Sequence, residues 1–142
     1  MHKKEAGFRE IEHTADVELE VWGADIPTLF AEAAKGMYHL SQIKRKGDGD
    51  PQATQHRSFT VQGTDLESLL VAFLSELLFY LETEGLVFDA FDLRVQEDSR
   101  LQAQLEGFVI EGRNREIKAI TFHNLNIKET ESGLQVHIVF DV

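Results

Sequence analysis

The stretch that decides the fold is TDLESLLVAFLSELLFYLETEG, residues 64–85. Thr64-Asp65-Leu66-Glu67 fits a capping box, and Gly85 suits the left-handed position that follows a last helical turn. The apolar residues between them recur at helical spacing and cover more than one side, which predicts a helix at the centre of the fold. These residues are Leu66, Leu69, Leu70, Phe73, Leu74, Leu77, Leu78 and Leu81.

An earlier helix is predicted to begin near Asp25, a good N-cap, with Pro27 in the first turn, where its missing N–H is no loss. Its apolar residues form a single stripe, which is typical of a helix that packs one face on the core. They are Leu29, Phe30, Ala33, Ala34, Met37 and Leu40.

The rest of the chain has the features of strands. Val17, Leu19 and Val21 alternate with polar or amphipathic residues, and further strands are predicted over 58–62, 87–95, 100–110, 118–127 and 134–141. Strands and helices do not alternate regularly, so a doubly wound parallel sheet is not expected. The sequence therefore predicts one α+β domain over residues 1–142, with two helices packed on a largely antiparallel sheet.

Composition limits the function. The chain has no cysteine, which excludes disulfides and cysteine-based zinc sites, and its net charge of −11 opposes tight binding to nucleic acid. The first residues lack the apolar core of a signal peptide, and the most apolar stretch is interrupted by Ser75 and Glu76. We expect a cytoplasmic protein without a membrane span.

Two carboxylates stand at the boundaries of strong strands. Asp16 precedes the strand that contains Val17, and Asp141 ends the strand that contains Phe140. If these strands are antiparallel neighbours, the two carboxylates meet, together with the terminal carboxylate of Val142, and such a group favours a hard cation. The alternative is that Asp16 caps a turn through its own backbone.

Other candidates are less specific. Lys118 and His123 lie on one predicted strand and form either a half-exposed edge pair or part of a site. Lys44-Arg45-Lys46 is interpreted as part of a solvated loop, since it is too short for a nucleic-acid patch.

Five segments, in this order, resemble the archease family over nearly the whole chain: EHTADVELEVWG, LFAEAAKGMYHL, DLESLLVAFLSELLFYLETEGLVF, IKAITFHNL and the final VFDV. The resemblance implies an α+β fold related to a strand–helix–strand–strand module with an inserted unit. It also implies a protein cofactor of the RtcB-type tRNA-splicing RNA ligase. Archeases promote guanylylation of the ligase histidine and sustain its turnover.

Carried over to this chain, the family's metal ligands fall on Asp16, Asp141 and Val142, and the resemblance implies a divalent ion, calcium or manganese. His13 and Thr14 would shape the same surface, by contacting a partner or orienting Asp16. The stretch 107–116 departs from many members, because it is short and carries Arg113-Asn114-Arg115 without a histidine.

Three functions follow. The first is a non-enzymatic, metal-binding activator of the RNA ligase. The second is a metal-dependent hydrolase using Asp16, Asp141 and His123, since carboxylates can hold a metal that activates water. The third is a chaperone-like binding module for RNA-modification enzymes.

Overall fold

A computed structural model describes residues 5–12, 16–47 and 53–142. Within these ranges, ten strands and two helices follow one another in a mixed order, as expected for an α+β protein. The elements are β1 Gly7–Glu12, β2 Val17–Gly23, α1 Ile26–Ser41, β3 Ile43–Lys44, β4 Gln55–Gln62, α2 Leu66–Glu84, β5 Leu86–Gln96, β6 Arg100–Val109, β7 Gly112–Arg113, β8 Ala119–Thr121, β9 Lys128–Thr130 and β10 Gly133–Asp141.

Helix α1 confirms its predicted start. The Asp25 carboxylate accepts a hydrogen bond from the backbone N–H of Thr28 at 2.9 Å, which satisfies one of the free donors of the first turn. The predicted apolar stripe is buried throughout. Neither α1 nor α2 is long and apolar enough to cross a membrane.

Helix α2 begins one residue later than the capping box predicts. Asp65, not Thr64, is the N-cap, and its carboxylate accepts from the backbone N–H of Ser68 at 2.7 Å. Glu67 is therefore not at the position that closes a capping box. Its carboxylate instead accepts from the backbone N–H of Ile127 at 2.8 Å, which ties the helix to the segment before β9. Gly85 ends the helix with φ at 61°, as predicted.

The described strands pair antiparallel throughout and divide among three sheets. The largest has the order β1-β2-β10-β8, with β9 also paired to β10. A second has the order β4-β6-β5, and β3 pairs with β7. Helix α1 packs on β1 and β2 and α2 on β4 and β5, and the rings of Phe30 and Phe73 stack between the helices at 5.8 Å.

Two strand predictions need correction. The strand predicted over 118–127 ends at Thr121, because the chain turns there: the N–H of Leu125 bonds to the carbonyl of Phe122, and Asn124 takes a left-handed conformation with φ at 53°. Strand β1 was not predicted. Its Phe8 faces the core, but the polar Glu10 stands where alternation calls for a second apolar residue.

Candidate metal centre

Asp16 and Asp141 lie at one end of the five-stranded sheet. Strands β2 and β10 are antiparallel neighbours, and the last pair in their register is Val17 with Phe140. Asp16 directly precedes Val17 and Asp141 directly follows Phe140, so the two aspartates adjoin the last pair of this ladder, and both are exposed. The condition that the sequence left open, that these two strands be neighbours, is met. We call this pair of residues the carboxylate edge.

The apolar pattern of the two strands fixes this register. Leu19 and Val21 are buried against α1, and their cross-strand partners Ile138 and Val136 are buried with them. A shift by one residue would turn all four away from the core, which the burial of apolar area opposes. The carboxylate edge is therefore a consequence of core packing further along the ladder.

The two carboxylates of the edge carry like charges that repel each other. Side chains alternate along a strand, so Asp141 follows the core-facing Phe140 onto the outer face, and Asp16 lies in the bend just before β2. Like charges that stand directly across an antiparallel pair destabilise it. A cation or a cationic partner at this position removes that cost.

Lys118 lies at the same edge. Its backbone N–H donates to the carbonyl oxygen of Asp141 at 2.7 Å, and the next residue, Ala119, pairs with Asp141 in the ladder between β8 and β10. The Lys118 side chain is exposed. Val142 is partly buried and packs against the core.

His123 is not brought to this edge. Thr121 pairs with Val139, and His123 follows two residues later, in the turn after β8. At about 3.3 Å of rise per residue, Thr121, the last residue of β8, already lies roughly 7 Å along the strand from Ala119, the partner of Asp141, and His123 follows in the turn. His123 instead contacts its neighbour, with Nε2 at 3.2 Å from Nδ2 of Asn124. His13 and Thr14 lie outside the described residues.

The donor chemistry of the edge fits a hard divalent ion, because calcium and manganese take carboxylate oxygens. Within residues 5–12, 16–47 and 53–142, no three histidine, aspartate or glutamate side chains are grouped so as to hold a metal ion. The carboxylate edge itself presents two aspartate side chains.

A polar network that the sequence did not single out continues from the edge across the outer face. Nδ1 of His137 lies 2.9 Å from Oε2 of Glu18, and Nε2 of Gln135 donates to Oε1 of Glu20 at 2.8 Å. Arg9 also bonds to Glu20, which is only 5% exposed. His137 has no neighbouring motif in the sequence. Only the pairing of β2 with β10 brings it to Glu18.

The stretch 107–116 runs from β6 through β7, where Arg113 pairs with Ile43 in the ladder. Its two arginines face acidic side chains: Arg113 lies 3.6 Å from Glu82, and Arg115 lies 3.8 Å from Glu10. In the place where the sequence departs from the archease pattern, the arginines thus contact other parts of the chain.

Fold and edge together define an α+β protein in which two antiparallel strands present paired carboxylates at their ends. The chain matches the Archease protein family over residues 8–142. It is 31% identical to the archease of Methanosarcina barkeri over 143 residues, with 95% of each chain covered. It is 34% identical to that of Saccharolobus solfataricus over 143 residues, with 95% of this chain and 98% of the relative covered. The chain belongs to the archease family.

Solved structures agree with this assignment. The solution structure of protein 1598 from Methanobacterium thermoautotrophicum has a TM-score of 0.70 and 25% identity, covering 96% of this chain and 99% of the other. A crystal structure from Thermotoga maritima, described as an archease and possible chaperone, has a TM-score of 0.66 and 21% identity over the full length of both chains. The latter likeness concerns the fold.

Proposed function

We propose that this protein is a non-enzymatic, metal-binding activator of an RtcB-type tRNA-splicing RNA ligase and acts in the cytoplasm. It promotes guanylylation of the ligase histidine and allows multiple turnovers. The observation that carries the proposal is that Asp16 and Asp141 adjoin the last pair of the β2–β10 ladder, in a chain of the archease family.

In this proposal the aspartates of the carboxylate edge hold a divalent ion, calcium or manganese, and the α-carboxylate of Val142 adds a third oxygen group. When bound, such an ion supplies positive charge for phosphate oxygens. The chain holds the edge in place through the ladder, and the bond from Lys118 to the Asp141 carbonyl supports the last residues of β10. His13 and Thr14, beside Asp16 in the sequence, are proposed to contact the ligase.

The charge of the protein bears on how it binds its partner. The net charge of −11 opposes a phosphate backbone, so docking is proposed to be between proteins, with the carboxylate edge toward a basic surface of the ligase. Long-range attraction of this kind raises the association rate and is screened by salt. Activation should therefore weaken as ionic strength rises.

The hydrolase alternative is less well supported. It needs His123 beside the two aspartates, and this residue lies in the turn after β8, past the residues that pair with β10 and on the side away from Asp141. Without that imidazole, the carboxylates of the described part of the edge are those of Asp16, Asp141 and Val142, and all three are proposed to hold the ion.

The experiment follows covalent guanylate on a purified ligase supplied with GTP and manganese, with and without this protein. We expect the native protein to raise both the rate and the number of turnovers. Asp16→Asn and Asp141→Asn should each abolish most of the gain. Asp92→Asn, which removes an exposed carboxylate from β5 in the other sheet, is the matched control and should retain it.

Full activation by both edge variants would overturn the metal site. GTP hydrolysis by the isolated protein, lost in the same variants, would instead favour the hydrolase. Unchanged guanylylation of the ligase with the native protein present would overturn the proposed role as activator.

A further inference from the structure

A groove lies between the C-terminal half of α1 and strands β5 and β6, remote in sequence from the carboxylate edge. It has a volume of about 640 Å³, within the range of sites for small ligands. Tyr38, Val87, Phe88 and Phe108 form its apolar walls, and Arg45 stands beside them. We call it the Arg45 groove.

Arg45 is held in place by an aromatic ring. Its guanidinium carbon lies 4.1 Å from the centroid of the Phe108 ring, a distance typical of a cation–π contact. Among the described residues no carboxylate lies within ion-pair distance of Arg45, whereas most other arginines of the chain have such a partner. A guanidinium that is oriented but not neutralised retains its planar set of donors for a carboxylate, sulfonate or phosphate group.

Tyr38 contributes a second polar group. Its hydroxyl oxygen accepts a hydrogen bond from the backbone N–H of Phe88 at 3.3 Å. Burial raises the pKa of Tyr38 well above its usual value, so the hydroxyl keeps its proton at neutral pH. That proton is available for a ligand acceptor within an otherwise apolar wall.

The local charge differs from that of the whole chain. A smaller recess of about 280 Å³ adjoins the groove, shares Arg45 and Phe108 with it, and adds Lys46. Lys35 lies on the other side, and its Nζ atom is 3.6 Å from Oε1 of Glu32, which offsets its charge. The acidic residues on the two linings are Asp89 and Glu106. Arg45 and Lys46 balance these two carboxylates, so the groove is close to neutral on a chain of net charge −11.

We propose that the Arg45 groove binds a small aromatic anion, with its flat ring against the aromatic walls and its acidic group on Arg45. Aromatic walls along an open groove suit a planar ring, and an oriented arginine suits a planar acidic group. This site is separate from the proposed metal site and does not depend on it.

The probe for this site is anilinonaphthalene sulfonate, whose fluorescence rises in apolar surroundings, and its uncharged counterpart is N-phenylnaphthylamine. We expect the sulfonate to bind one site on the native, folded protein. Arg45→Ala should weaken the sulfonate about tenfold, the value of one charge-assisted contact, and leave the uncharged probe within about twofold. Lys128→Ala, which removes one positive charge from β9, is the matched control and should change neither.

The comparison of two probes separates anion recognition from damage to the groove, because loss of the apolar walls would weaken both. Amide shifts on adding the sulfonate should centre on Tyr38, Val87 and Phe108. Equal weakening of both probes by Arg45→Ala, or shifts centred elsewhere, would overturn the proposal. Failure of the sulfonate to bind would also overturn the proposal. If polyglutamate bound in its place, the groove would be assigned to an acidic polypeptide.

Discussion

Asp141→Asn should have opposite effects on stability in the absence and in the presence of a divalent ion. Without the ion, the substitution removes a charge next to that of Asp16 at the end of the ladder. With the ion, it removes one of the proposed ligands. The ligase is not needed for this test.

The magnitude without the ion follows from the pairing. Directly opposed residues have Cβ atoms about 5 Å apart, and two unit charges at that distance repel by about 0.8 kcal/mol in water. Both aspartates are exposed, so salt reduces this further, to about 0.5 kcal/mol. For a chain of this length the gain corresponds to a rise in Tm of about 2 °C.

The magnitude with the ion follows from linkage. An ion present at about 100 times its Kd stabilises the native protein by about 2.7 kcal/mol, or about 10 °C in Tm, and this gain should be largely lost in the variant. Thermal unfolding in a chelator and in calcium or manganese gives both values. Asp92→Asn, an exposed site in the other sheet, is the control and should respond to the ion as the native protein does.

Two results would refute the reasoning. If Asp141→Asn lowers Tm in the chelator, the two carboxylates do not repel across the ladder. If the divalent ion raises the Tm of the variant as much as that of the native protein, the ion binds elsewhere.

Three further predictions concern stability and binding. Gly107→Ala should lower the free energy of unfolding, measured in urea, by about 2 kcal/mol or more, because the new Cβ would lie 1.8 Å from the Val87 carbonyl oxygen. Gly112→Ala is the control: the space around Gly112 is open, so the free energy of unfolding should change little. Asp25→Ala should cost about 1 kcal/mol at neutral pH. Hydrogen bonds from the hydroxyl and backbone N–H of Thr28 hold the pKa of Asp25 below its usual range. The contribution of Asp25 to stability is therefore present above about pH 4 and is lost as pH falls through the lowered pKa. Unfolding curves of the native protein and the variant at several pH values would show this loss. The isolated protein should leave RNA unshifted in a gel at physiological salt, and a tight shift would favour direct RNA binding instead.

The helices could be predicted because their signals are local. Periodic apolar residues, Asp25 and Gly85 all act within a few residues along the chain. The start of α2 was placed one residue early because Thr64 and Asp65 are both good caps, and the Thr64 pattern also had a glutamate three residues later. That Glu67 bonds instead to Ile127 is a tertiary contact that no local pattern reveals.

Contacts between distant parts of the chain could not be predicted in the same way. Alternation showed that β2 and β10 each have a buried face, but not that they are neighbours, so the meeting of Asp16 and Asp141 remained conditional. The sequence interpretation of Arg45 as part of a solvated loop missed its contact with Phe108, because the ring comes from β6. Its position depends on how β5, β6 and α1 pack together.

The place of β10 in the sheet bears on the order of folding. The β4-β6-β5 sheet and α2 are formed by one continuous part of the chain. In contrast, β2 pairs with β10 near the other end of the chain, so that residue 17 pairs with residue 140. Closing so long a loop costs entropy before any contact is gained, and non-local pairing of this kind slows folding. We therefore expect the β4–β6 half to form the folding nucleus and the β2–β10 ladder to form late. Substitutions in that ladder, the carboxylate edge included, should then act mainly on the unfolding rate and leave the folding rate nearly unchanged.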